Sequence, residues 1–309
     1  MIRLFYFKNN YGDDLSAYLV SRLSGEEVVS CTPLTLKRFL LDWMIRGRDL
    51  LFFKGFHNFS FSYARKSRIL FAVGSIIGLG RSNCTIWGSG ITCGNDSIDP
   101  AMDIRAVRGP LTRRRAAECG YAGAEKLPLG DPGLLLPLVY PDRGKKECPL
   151  GLIAHNNDFS EFRHLLRGRE DTIRLISLQT RNRSVESITD QICSCERILS
   201  TSLHGLIVSH AYGIPALRIA SGRIPGDGSK FSDYFLSVGL QPYPPIPMEE
   251  LSGILESGVD SLFERHAAAS LPQTDQIQER QKALLESAPF PLHPDFAHIR
   301  GPKGKQAGL

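Results

Sequence analysis

Histidine can give or take a proton near neutral pH, and His204 sits where such chemistry has neighbours. It lies in Ser200-Thr201-Ser202-Leu203-His204-Gly205, after the apolar strand candidate at 197–199. An apolar helix is expected over 205–212, with Gly213-Ile214-Pro215 as its stop and a second strand at 216–220. Strand, turn, helix and strand make a βαβ unit. Its turn opens at the carboxyl ends of parallel strands, where unclaimed N–H groups at a helix start favour an anion. The plainer reading is that Ser202 caps the helix and His204 fills a polar corner. His210, six residues on and on another face of the helix, is read as packing.

Other residues fall at comparable positions. Arg108 ends a strand beginning at Ile104, and Pro110 suits the first position of the helix that follows. Arg108 is therefore expected to meet a ligand, whereas Arg113, Arg114 and Arg115 lie along the helix and face solvent. Near the start, Asn10, Gly12, Asp13 and Asp14 form a turn between a strand at 2–7 and a helix at 15–23. Asp13 or Asp14 would cap that helix, or Gly12 would let backbone approach a ligand closely. Gly88-Ser89-Gly90 follows a strand beginning at Cys84 and offers the same two readings. Asp131, before Pro132, is most simply a turn residue.

The elements that must position these residues alternate along the whole chain. Further strands are expected at 28–31, 69–77, 150–154 and 172–178, and further helices at 159–166, 184–192 and 230–235. Two terminal helices are expected at 248–269 and 273–287. Residues 34–45 read as helix, 50–53 as strand, and Phe52, Phe53, Phe56, Phe59, Phe61 and Tyr63 as an aromatic patch for a core. Such alternation implies an α/β protein of two Rossmann-like, doubly wound domains facing a cleft. The expected boundaries are 1–141, a polar linker at 142–149, a second domain at 150–299 with the terminal helices, and a disordered tail at 300–309.

Composition sets the outer limits. A chain of 309 residues can bury two cores, and 42% hydrophobic with 22% charged residues is ordinary for a globular protein. The longest apolar run, at 69–80, is interrupted by Gly74, Ser75 and Gly78 and is too short to span a bilayer. The amino terminus turns polar by Lys8, so no signal peptide is read and a cytoplasmic location is expected. The seven cysteines form no Cys-x-x-Cys pair, so free thiols and no metal are expected. A net charge of +5 allows a phosphate-bearing partner, but no nucleic-acid-binding motif accompanies it.

Taken in order, Asn10-Tyr11-Gly12-Asp13, Trp87-Gly88-Ser89-Gly90, Val107-Arg108-Gly109-Pro110, Leu129-Gly130-Asp131-Pro132 and Ser202-Leu203-His204-Gly205 resemble the polysaccharide pyruvyl transferase family. The resemblance implies a fold like that of GT-B glycosyltransferases, with the site between two domains. It also implies phosphoenolpyruvate as donor, with no further cofactor, and a sugar hydroxyl pair as acceptor. The acceptor would be a surface polysaccharide or its lipid-linked precursor, so the inner face of a membrane is a place of contact left open. The products would be a cyclic pyruvate ketal and phosphate. Many members carry Arg-Leu-His where this chain has Ser202-Leu203-His204, so a cation for the donor must come from elsewhere.

That chemistry needs a proton donor, a route for hydroxyl protons and a clamp for two anionic ends. On the resemblance, His204 takes the acid/base role or contacts the phosphate. Arg108 takes carboxylate or phosphate, with Lys230 as a further cation. Asp13 and Asp131 orient acceptor hydroxyls, and Gly12, Gly88, Ser89, Ser202 and Leu203 line the substrate. Two other readings stand beside it. One is a nucleotide-sugar glycosyltransferase, against which the missing acidic pair near the second-half turn counts. The other is a sugar-phosphate-binding protein with a degenerate site.

Overall fold

The computed structural model describes residues 1–31, 68–142, 144–155, 158–166, 168, 172–221, 224 and 226–297. The helix and strand expected at 34–45 and 50–53, the aromatic patch and the tail at 300–309 lie outside the described residues.

Short β-branched and leucine-rich runs form two parallel sheets. The first holds β1 (Ile2–Leu4), β2 (Val28–Ser30), β3 (Ile69–Phe71), β4 (Cys84–Trp87) and β5 (Asp103–Ala106), in the order β2-β1-β3-β4-β5. The second holds β6 (Cys148–Ala154), β7 (Ile173–Ser177), β8 (Cys195–Ser200) and β9 (Ala216–Arg218), in the order β7-β6-β8-β9. Both place the second strand outside the first and the third on its other side. The winding thus reverses between β1 and β3 and again between β6 and β8. In open α/β sheets, a ligand crevice forms outside the carboxyl ends of the strands at such a reversal. Those ends carry Gly12 and Ser75 in the first sheet, and His155 and His204 in the second.

The helices follow their apolar faces. α1 (Tyr11–Ser24) buries Leu15, Leu19, Val20 and Leu23 and stops at Gly25, whose φ of 70° is the left-handed conformation glycine favours. α2 (Pro110–Glu118) has Pro110 at its start, as expected. In the second half come α3 (Val185–Cys193), with the Ser184 side chain accepting from the Ser187 N–H, then α4 (Leu203–Ala211) and α5 (Ser229–Ser237). α6 (Thr274–Ser287) then crosses back to the first half. There Trp87 Nε1 donates to the Leu284 carbonyl at 2.9 Å and Gln281 Nε2 to the Leu134 carbonyl at 2.7 Å.

The largest apolar cluster joins both halves, with Leu4, Tyr11 and Leu15 packed in one body with Ile153, Ile188, Leu203 and Ile207. Smaller clusters cover the outer faces, around Phe71 and Ile86 on the first sheet and around Leu152 and Leu217 on the second. Polar ties reinforce the seam. The Tyr11 N–H donates to the Leu178 carbonyl at 2.9 Å, its hydroxyl pairs with that of Thr189 at 2.7 Å, and the Thr180 hydroxyl donates to Asp14.

Several boundaries differ from expectation. α1 begins four residues early, with Asn10 at the N-cap position, so Asp13 and Asp14 lie inside its first turn and cap nothing. The expected helix at 248–269 is broken into Leu251–Ser257, Asp260–Arg265 and Ala267–Ser270, because Gly258 takes a φ of 89° between the first two. Cys148 and Pro149, read as linker, begin β6.

Candidate functional site

The loop after β8 is held by its own hydroxyls. Ser200 Oγ donates to the Ser202 carbonyl at 2.9 Å and accepts from the Ser202 N–H at 3.0 Å. The Thr201 N–H donates to the Ile153 carbonyl, and Thr201 Oγ1 accepts from the His155 N–H at 2.9 Å. So fixed, the chain turns helical at Leu203, and His204 lies in the first turn of α4 rather than in the loop before it. Ser202 occupies the N-cap position, yet its side chain makes no capping bond. Among the described residues no side chain caps the first N–H groups of α4, the arrangement that attracts anions. Leu203 sends its side chain into the shared core and offers a ligand only its backbone.

His204 rests on α1. A Cβ added to Gly12 would stand 2.1 Å from His204 Nδ1 and 2.6 Å from Cγ, so only glycine admits the ring. Nε2 is buried and has no hydrogen-bond partner among the described residues. Burial, then the charges of Arg108 and Lys230, pushes the imidazole pKa down to about 3, so the ring is neutral at neutral pH. His210 is enclosed: Nδ1 lies 3.0 Å from the Tyr234 hydroxyl, with which the ring stacks.

Arg108 is fully buried at the seam of the two halves. Its Nε donates to Asp233 Oδ2 at 3.1 Å, Nη1 to Ser75 Oγ at 2.6 Å and Nη2 to the Ile91 carbonyl at 2.6 Å. Asp233, also fully buried, accepts in addition from the Thr112 N–H at 2.9 Å and the Thr112 hydroxyl at 2.6 Å. The glycines of the neighbouring turns make room for this pair. A Cβ on Gly90 would lie 2.4 Å from the Arg108 guanidinium carbon, and one on Gly109 would lie 2.0 Å from the Asp233 carbonyl oxygen. Gly88, with φ of 83°, admits Pro132 at 2.4 Å from the same kind of added atom, and Ser89 Oγ donates to the Gly74 carbonyl at 2.8 Å. Both residues bind their own protein.

The two acids are held differently. Asp131 is fully buried; Oδ1 accepts from the Gly133 N–H at 2.9 Å, while Oδ2 has no partner among the described residues. Burial raises its pKa to about 6, against the pull of the Arg108 charge. The turn reading thus accounts for one oxygen only. Asp13, in the first turn of α1, accepts hydrogen bonds from the Phe7 backbone and the Asn10 side chain, and burial raises its pKa to about 7.

Lys230, at the second position of α5, lines a small pocket together with Thr201, Arg218, Ser221 and Phe231. Burial, and then the charges of Arg108 and Arg218, lowers its pKa to about 8. Arg218 lies with its guanidinium carbon 3.8 Å from the centroid of the Phe231 ring. Sequence reasoning passed over Arg218 as the middle of a strand at 216–220. The strand ends at Arg218, which therefore holds the same carboxyl-terminal position that singled out Arg108. Asp233 was also missed, and no local signal marks it, because its partner is 125 residues away.

Residues 10–223 match the family described as polysaccharide pyruvyl transferase. The chain belongs to that family. It is also similar to an uncharacterised protein of Acanthamoeba polyphaga mimivirus, 29% identical over 175 residues. That alignment covers 55% of this chain and 60% of the viral protein.

The family match runs through the turns that carry Gly12, Gly88, Ser89, Arg108, Asp131 and His204, and ends before Lys230 and Asp233. Arg108 is close enough for its charge to act on His204, Asp131 and Lys230, and Gly12 touches His204 directly. Gly88 and Ser89 stand one layer back, supporting the Asp131 turn and the Ser75 loop. Among the described residues, no three His, Cys, Asp or Glu side chains group as metal ligands, and no helix is long and apolar enough to cross a membrane.

Proposed function

We propose that the protein moves the pyruvyl group of phosphoenolpyruvate onto two hydroxyls of a sugar in a surface polysaccharide or its lipid-linked precursor. We read the two sheets as the Rossmann-like halves of a GT-B-like enzyme. The observation that carries the proposal is a histidine at the start of a helix, with a buried Nε2 that has no partner among the described residues, within reach of the charges of Arg108 and Lys230.

The donor bears a carboxylate and a phosphate, so it suits cations and unclaimed N–H groups. Protonation of its methylene carbon makes the adjacent carbon electrophilic, and the first sugar hydroxyl attacks there. Loss of phosphate and attack by the second hydroxyl close the ketal. Of the two hydroxyl protons, one ends on the methyl carbon and the other on the departing phosphate. Neutral His204 is suited to take a hydroxyl proton, since a bound anionic donor offsets the cations that depress its basicity. Asp131 and Asp13, raised toward neutrality, can relay protons between hydroxyls.

The test is phosphate release from phosphoenolpyruvate with and without a panel of sugar acceptors. Release that requires an acceptor and vanishes in His204→Ala supports the proposal. No donor binding and no turnover across a broad panel would sink it, and a thermal shift with UDP-sugars alone would favour nucleotide-sugar chemistry.

A further inference from the structure

We infer that the pocket of Arg218 and Lys230 is the phosphate subsite, and that Arg108 serves chiefly to clamp the two halves. The inference rests on the pyruvyl-transfer reading for the identity of the donor, but its anion chemistry stands on the pocket itself.

Arg108 is the cation its position first suggests, yet its charge is already matched. Asp233 lies 3.1 Å away, both side chains are fully buried, and all three guanidinium nitrogens donate within the protein. An incoming phosphate would have to compete with a carboxylate fixed by two further hydrogen bonds from Thr112.

Arg218 is in the opposite condition. Among the described residues it makes no ion pair and its buried Nε has no acceptor, and its guanidinium carbon lies 3.8 Å from the centroid of the Phe231 ring. A guanidinium over an aromatic ring can still offer its N–H edge to oxygen atoms. Lys230 stands close enough for the two like charges to act on each other. Two cations brought together in this way imply an anion between them. One carboxylate stands behind the wall: Asp158 Oδ1 accepts from Ser221 Oγ at 2.8 Å. Asp227 turns away, accepting from the N–H groups of Gly94 and Ser229, both at 2.9 Å.

Charge and polarity favour phosphate over the other groups of the reaction. The pocket is lined by the polar and cationic side chains of Thr201, Arg218, Ser221 and Lys230. A phosphate dianion matches two cations, whereas a carboxylate needs one. Thr201, whose Oγ1 already accepts from the His155 N–H, keeps its hydroxyl proton to donate.

The test uses the full-length protein and inorganic phosphate. Phosphate is expected to raise the Tm of the wild type saturably, and Arg218→Gln to weaken that binding by at least about tenfold, as befits a lost charge-assisted contact. Pyruvate, a carboxylate without phosphate, should give no shift that depends on Arg218. Should Arg218→Gln fold poorly by circular dichroism, Arg218→Lys keeps the charge but loses the planar fork, and phosphate titration of that variant should show intermediate affinity. A wild type that ignores phosphate, a folded Arg218→Gln that binds it normally, or an Arg218 dependence seen with UDP but not with phosphate would overturn the inference. Normal, Arg218-dependent phosphate binding without phosphoenolpyruvate turnover would uphold this subsite while removing the pyruvyl-transfer reading.

Discussion

The imidazole of His204 lies on the backbone of Gly12, so close that a single methyl group on Gly12 would stand 2.1 Å from Nδ1. The first helix of one half is thus the floor on which the histidine of the other half is oriented. Gly12 is not in the left-handed region, so its need for glycine is one of space alone.

Gly12→Ala should therefore displace the ring without breaking the helix, since alanine is the better helix former. The expected stability loss is about 1–3 kcal/mol, as for overpacking elsewhere. Turnover should fall by about a hundredfold, as expected when a reacting group is misplaced by an ångström. Steady-state rates beside urea denaturation measure both. A Gly12→Ala enzyme of normal kcat would show that the ring's position does not matter.

Removing one partner of the Arg108 and Asp233 pair should be severe. Asp233→Ala leaves a buried guanidinium without its carboxylate, and the expected cost is about 3–5 kcal/mol. An apolar double replacement, Arg108→Met with Asp233→Leu, should recover much of that loss in chemical denaturation. It should also leave phosphate binding at Arg218 in place if Arg108 is mainly a clamp.

The stability of the protein should respond to pH through two opposed groups. Asp131 has a folded pKa raised to about 6 from an ordinary 3.8, so its favourable contribution is complete below 3.8 and is lost as pH rises through 6. His204 has a folded pKa lowered to about 3 from 6.5, so the folded state loses stability as pH falls from 6.5 toward 3. Asp131→Asn removes the first effect alone. Relative to wild type it should gain, between pH 4 and pH 7, on the order of 2–3 kcal/mol. Tm measured for both proteins across that range checks the sign, and a difference independent of pH would show that Asp131 is ordinary.

Donor affinity should weaken in mild alkali. The pKa of Lys230 is lowered to about 8 by burial and neighbouring cations, so its charge is present below that pH and lost above it. Phosphate binding should decline between pH 7 and pH 9 in the wild type. In Lys230→Met it should be weaker at pH 7 and should lose that decline.

The periodicity of the chain determined much of what was found: the parallel strands, the order of strand and helix, and the carboxyl-terminal positions of Arg108 and His204. These are local properties, read from side-chain alternation and from Gly and Pro at fixed offsets. Local signals also placed Pro110 and Ser184, whose capping chemistry involves neighbours within a few residues. Tertiary structure alone decided which polar groups are spent and which are left over. Arg108 carries the stronger sequence signal, but Asp233, 125 residues on, occupies it; Arg218 carries a weaker one and meets no carboxylate among the described residues. Gly12 looked like a place for a ligand to approach and is filled by His204, 192 positions later in the chain. Burial, pairing and steric clearance depend on residues brought together by two sheets and the core between them, and no window of neighbouring residues contains that information.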